Sequence, residues 1–170
     1  MRIKILVIVM INLLFCAGEI RPVFALEHIQ KDALFSMDIP ESWHWVDGAQ
    51  EVIIVYPDVK TVAIDIQWAP SLQTSQVEIK KILKEGNDKM IKDGIEGHDG
   101  VLIDNKEIRM DGVYATQLDF KTASPNSIFV TYISFLNKGY AFTITYGTVD
   151  DNMRLMLDDA AATFKFNTKT

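Results

Sequence analysis

Four extended runs joined by two glycine-bearing turns fill residues 101–146, and they restrict this part of the chain to an antiparallel sheet. "VLIDNKEIRM" (101–110) and "VYATQLDF" (113–120) flank Asp111-Gly112. That dipeptide is a strong two-residue hairpin signal, because the turn that matches strand twist needs positive φ at both central positions. "SIFVTYISFL" (127–136) and "YAFTITY" (140–146) flank Asn137-Lys138-Gly139. In the last run Tyr140, Phe142, Ile144 and Tyr146 share one face, and Thr131, Thr143 and Thr145 add β-branched character. Strands linked this tightly must run antiparallel, since parallel neighbours need a long crossover.

The first half repeats the pattern more loosely. "ALFSMDI" (33–39) reads as a strand stopped by Pro40, and "EVIIVYP" (51–57) as the next. A turn at Pro57-Asp58 leads into "TVAIDIQWA" (61–69), where Val62, Ile64, Ile66 and Trp68 alternate with Thr61, Ala63, Asp65 and Gln67. The period then changes. Ile79, Ile82, Leu83, Met90 and Ile91, with Gly86 on the same stripe, predict an amphipathic helix from Ser75 to Asp93. Ser75 and Glu78 fit a capping box, Lys89 and Lys92 suit the negative end of the helix dipole, and Gly94 supplies a C-terminal stop. A second helix, from about Asp150 to Phe164, is predicted by Met153, Met156, Leu157, Ala160, Ala161 and Phe164, with Thr148 and Asp151 as its capping pair.

Three strands, a helix, four strands and a helix make an α+β chain. The expected architecture is a largely antiparallel sheet of about six to seven strands covered by two main helices, an α/β/α sandwich. Strand–helix–strand alternation is missing, which excludes a parallel nucleotide-binding fold.

The N-terminus reads as an export signal. Arg2 and Lys4 precede an apolar run from Ile5 to Ala17, too short for the roughly 20 residues of a membrane-spanning helix. Val23-Phe24-Ala25 places suitable residues before a cleavage bond between Ala25 and Leu26. Residues 1–25 are then a signal peptide and 26–170 one domain, with its core over about 33–166. The competing reading is a lipid anchor on Cys16, the only cysteine; the bulky Phe15 before it argues against that. An uncleaved anchor is a third reading, opposed by Arg21-Pro22. The main reading gives a periplasmic or secreted protein without cysteine and without a stable membrane anchor. Its removal of Arg2, Lys4, Arg21 and Glu19 moves the formal charge from −6 to −8. Such a surface repels phosphate backbones, so no nucleic-acid partner is expected.

Candidate chemistry is sparse. "PESWHWVDG" (40–48) is the most distinctive patch, with Trp43 and Trp45 facing one way and His44 the other. Trp43, His44 and Trp45 are therefore a candidate interaction surface, since tryptophans are common binding anchors; core packing is the alternative for Trp43. His98-Asp99 with Asp104 lacks metal-ligand spacing relative to His28 and His44, and no calcium-loop pattern exists. Asp150-Asp151 and Asp158-Asp159 are better explained by capping and solvation than by acid–base work. No nucleophile elbow or phosphate loop occurs. No catalytic residue, metal or cofactor is expected. The face bearing Tyr140, Phe142 and Tyr146, with Tyr132, could line a small-molecule pocket or pack as core.

"FSMDIPESW" resembles the strand–Pro–x–x–Trp opening of the PsbP-like domains, which include bacterial DcrB-type exported proteins. "GYAFTITYGT", followed by an amphipathic helix ending near "ATFKF", resembles the end of the same fold. The resemblance implies an antiparallel sheet flanked by helices and a docking or accessory role, with no catalytic motif to transfer. The expected function is a non-catalytic binding protein of the bacterial cell envelope that docks on a protein partner. A carrier of a small apolar or aromatic ligand is the alternative, and a hydrolase built from distant residues a third reading.

Overall fold

The computed structural model describes residues 25–56, 62–72, 75–98, 100–122 and 127–167. The elements run β1 (Leu26–Lys31), β2 (Phe35–Pro40), β3 (His44–Asp47), β4 (Glu51–Val55), β5 (Ala63–Pro70), α1 (Gln76–His98), β6 (Gly100–Met110), β7 (Val113–Thr122), β8 (Phe129–Asn137), β9 (Tyr140–Thr148), α2 (Asp151–Ala162) and β10 (Lys165–Phe166). The expected sheet is present: seven antiparallel strands in the order β3-β4-β5-β9-β8-β7-β6. A second, three-stranded sheet of order β1-β2-β10 was not expected. The strand read at 33–39 belongs to it, as β2, with β1 and the two-residue β10 antiparallel on either side. These flanking strands were missed because neither is long and alternating; β1 has one buried side chain, Ile29.

The turns behave as their residues require. Asp111 and Gly112 lie at φ 46° and 80°, and Lys138 and Gly139 at φ 48° and 80°, so both hairpins close through two left-handed residues. Asn137 pairs with Tyr140 and so ends the strand rather than joining the turn. The β4–β5 pair is antiparallel as read, while its expected Pro57-Asp58 turn lies outside the described residues.

The large sheet has two unlike faces. On the inner face Val52, Ile54, Ile64, Ile66, Ile144 and Phe135 meet Phe35, Met37 and Ile39 of the small sheet and Leu157 and Ala161 of α2. Its centre is aromatic. Phe35 stacks on Phe164 with centroids 5.0 Å apart, and Phe135 on Phe142 at 5.2 Å. Full burial of a side chain of this kind contributes about 1.5–3 kcal/mol, so this cluster holds the small sheet, α2 and the large sheet together. Lys31 of β1 pairs with Asp47 of β3 and lies 5.7 Å from the Trp68 ring centroid, joining the two sheets at their rim.

On the outer face α1 covers β6, β7 and β8, through Leu83 against Tyr114 and Leu136. The capping box forms: the Ser75 amide donates to Glu78 Oε2 at 2.9 Å and the Glu78 amide to Ser75 Oγ at 3.3 Å. Three details differ from expectation. Gly94 does not end α1, which runs on to His98; a Cβ at 94 would lie 3.1 Å from Phe120 Cε1, so this glycine lets helix and sheet approach. Gly86 is exposed, and the buried polar residue on the stripe is Asn87, which accepts from Thr116 Oγ1 at 3.1 Å. At α2 the cap is Asp150, whose carboxylate accepts from the Asn152 and Met153 amides, rather than a Thr148–Asp151 pair.

Candidate functional site

Helix α1 covers only part of the outer face. Alternation along β3, β4 and β5 turns Val52, Ile54, Ile64 and Ile66 inward, so His44, Val46, Glu51, Ile53, Asp65 and Gln67 face outward. Among the described residues no helix packs over them. Val46 is 62% exposed, His44 and Gln67 are exposed, and Ile53 and Val55 are half-buried. β9 extends the same face with Thr143 and Thr145, which pair with Gln67 and Asp65. This is an open patch of sheet with a partly apolar edge and a polar centre.

The polar centre is a carboxyl pair held by an amide. Gln67 Nε2 donates to Asp65 Oδ2 at 2.8 Å and to Glu51 Oε1 at 3.1 Å. Asp65 Oδ1 is buried by its neighbours and has no hydrogen-bond partner. Burial, and then the nearby charge of Glu51, push the Asp65 carboxyl above the ordinary aspartate value. Two carboxyls in unlike environments can do acid–base chemistry only inside a pocket that holds a substrate. The clefts at Arg109 and Lys138, at Lys106 and Asp158, and at Pro40 to Ser42 do not include Glu51 or Asp65.

The residues singled out in the sequence separate across the sheet. Trp43 is 2% exposed and meets Tyr56 edge-on, with centroids 5.6 Å apart. Trp45 is half-buried and packs against the inner core. His44 alone of the three lies on the open outer face. The tryptophans share one side, as the spacing implies, but that side is the core, because transfer of two indoles out of water outweighs their use at an exposed surface. The His98 side chain and Asp99 lie outside what is described. No group of three or more His, Cys, Asp or Glu that could hold a metal occurs among the described residues.

Beside the apolar contact of α2 with the sheet, part of the inner face is polar. A groove of about 310 Å³ is lined by Lys106, Gln117, Tyr146 and Asp158 together with Ile108 and Ala161. Behind it Asp119 is buried. It accepts from Thr131 Oγ1 at 2.7 Å and from Gln117 Nε2 at 3.0 Å, with Arg154 of α2 at 3.6 Å and Lys106 at 3.8 Å. Phe142, expected as a pocket wall, is enclosed by Phe35, Phe135, Phe164 and Phe166. The groove therefore does not suit an apolar ligand.

An antiparallel seven-stranded sheet, with a long helix outside and a short helix and small sheet inside, is the PsbP-like fold. Solved structures share it. The cyanobacterial PsbP, CyanoP, of Synechocystis sp. PCC 6803 is 15% identical and superposes with a TM-score of 0.58 over 88% of this chain and 96% of its own. A protein of Bacteroides thetaiotaomicron, also 15% identical, gives 0.59 over 83% of this chain and 48% of its own. LpqN of Mycobacterium tuberculosis, involved in cell envelope biogenesis, is 14% identical and gives 0.51 over 85% and 88%. At these identities the likeness is one of fold. No protein-family model matches the chain, and no curated protein sequence does either.

Proposed function

We propose that this chain is an exported, non-catalytic accessory protein of the bacterial cell envelope. It docks on a protein partner through the uncovered half of its outer sheet face. The observation that carries this is the patch itself: Val46 and the half-buried Ile53 beside the Glu51–Asp65 pair, with no described element over them. The partner that fits it presents lysine or arginine at its centre and an apolar flank. His44 belongs to this surface. Export is supported by the signal-like N-terminus. β1 begins at Leu26, so cleavage after Ala25 leaves every strand whole. The role of LpqN in envelope biogenesis fits the same setting.

A photo-crosslinking residue at Val46, compared with one at the exposed Lys84 on α1, tests the docking. One envelope protein captured from living cells at position 46 and not at 84 is expected. Equal capture at both positions, or none at 46, overturns it. Intact mass of the envelope-extracted chain tests the export reading: a species starting at Leu26 is expected, and a lipidated species starting at Cys16 overturns cleavage at Ala25.

A further inference from the structure

The largest cleft of those described lies at the hairpin end of the large sheet, away from the open face. It has a volume of about 590 Å³. Four segments wall it: Ser71 and Leu72 after β5, Gln76 and Ile79 at the start of α1, and the two hairpin turns at 112–114 and 137–140, with Arg109 beside the first turn. Its charge is unusual for this chain. There are 23 acidic against 17 basic residues overall, yet the lining contains Arg109 and Lys138 and no carboxylate.

The nearby acids are turned elsewhere. Asp111, in the same turn as Gly112, points its carboxylate at the other sheet and accepts from the Phe166 amide at 3.0 Å. Glu107 holds the Tyr114 hydroxyl and lies 3.7 Å from Lys80, whose ammonium is 4.6 Å from the Tyr114 ring centroid. Glu78 is committed to the cap of α1. The cations are placed by rigid turns. Arg109 donates one N–H to the Gly112 carbonyl at 2.8 Å, which fixes its side chain across the turn and leaves the rest of its fork for a ligand. Among the described residues Lys138 makes a long contact, 3.5 Å, to the Asn167 carbonyl. Tyr140, half-buried at the turn, supplies aromatic surface beside them.

We propose that this cleft binds a small organic anion, one carboxylate or phosphate group on a flat apolar body. Arg109 and Lys138 take the anionic head, and Tyr140 takes the body. An anion here is drawn by two charges that no lining carboxylate cancels, and Arg presents parallel N–H donors that match both head groups. The site is separate from the docking face, so each stands or falls without the other.

The test is an amide NMR titration of the purified chain with phenyl phosphate, with benzoate, and with benzyl alcohol as the neutral control. Saturable shifts confined to Gly112, Tyr114, Gly139 and Tyr140 are expected for at least one anion and not for the alcohol. Binding of phenyl phosphate alone would assign a phosphoryl head, and of benzoate alone a carboxylate. Arg109→Gln and Lys138→Asn should each weaken binding about tenfold, the loss expected for a hydrogen bond to a charged group, without disturbing the remaining spectrum. Asparagine is chosen at 138 because it tolerates the left-handed backbone there. Absence of saturable shifts, shifts at other residues, or equal response to benzyl alcohol would overturn the proposal.

Discussion

The Tyr146 hydroxyl donates to Asp158 Oδ1 at 2.6 Å, joining β9 to the sheet-facing side of α2. Burial, and then the Asp158 carboxylate, hold the Tyr146 phenol far above its ordinary value of 10.0. A raised phenol favours the fold while it stays protonated. That contribution is complete below the unfolded value and is lost as pH rises through it toward the folded one. Tyr146→Phe should therefore cost about 1 kcal/mol at neutral pH and flatten the alkaline fall in stability, read by urea unfolding from pH 7 to 11. An unchanged alkaline profile would show that this pair does not control it.

Asp119 is the centre of the polar network under α2. Its side chain is 4% exposed, and Thr131, Gln117, Arg154 and Lys106 surround it. Asp119→Ala removes the acceptor of the buried Thr131 hydroxyl and leaves two cations without their shared partner. The expected loss is about 3 kcal/mol, whereas Asp119→Asn, which keeps the shape and an acceptor oxygen, should lose less. Equal losses for the two would mean that the charge, rather than the hydrogen bonds, holds the network.

On the open face the Asp65 carboxyl follows the same sign as Tyr146. The folded-state value of Asp65 is raised above 3.8, so its contribution to stability is present below that value and lost as pH rises through the folded one. At neutral pH the pair with Glu51 works against the fold. Asp65→Asn should stabilise the protein by about 0.5 kcal/mol near pH 7, in line with relief of a like-charge contact on a sheet, and by nothing in acid. A destabilised variant at pH 7 would mean that the carboxylate makes a favourable interaction there.

Gly86 and Gly94 of α1 should respond in opposite senses. Around Gly86 nothing approaches an added Cβ within 4 Å, so Gly86→Ala should gain about 0.5–1 kcal/mol from helix propensity alone. At Gly94 a Cβ would press on the Phe120 ring, and Gly94→Val should be destabilising, by about 1–3 kcal/mol of overpacking. Thermal melts of the two variants check both signs. A stabilised Gly94→Val would show that the ring moves aside at little cost.

Residues 101–148 were legible because their information is local. Alternation assigns each side chain to a face, and Asp111-Gly112 and Lys138-Gly139 set the register of their hairpins within a few residues. The capping box at Ser75 and Glu78 was legible for the same reason. The aromatic face of β9 was readable as apolar, and its burial followed.

What the sequence by itself determined is therefore the α+β class, the antiparallel pairing of neighbouring strands, and the inward side of each alternating run. Only the tertiary structure decided that β2 stands outside the large sheet, between its sequence neighbour β1 and the distant β10, with the Asp38–Thr163 contact spanning 125 residues. It also decided that α1 spans three strands and leaves four uncovered on the outer face, which made a surface of Glu51, Asp65 and Gln67. Alternation had already placed Asp65 and Gln67 outward. Whether an outward residue meets a helix or solvent depends on where a distant element packs, and that is fixed by burial summed over the whole chain, not by any local pattern.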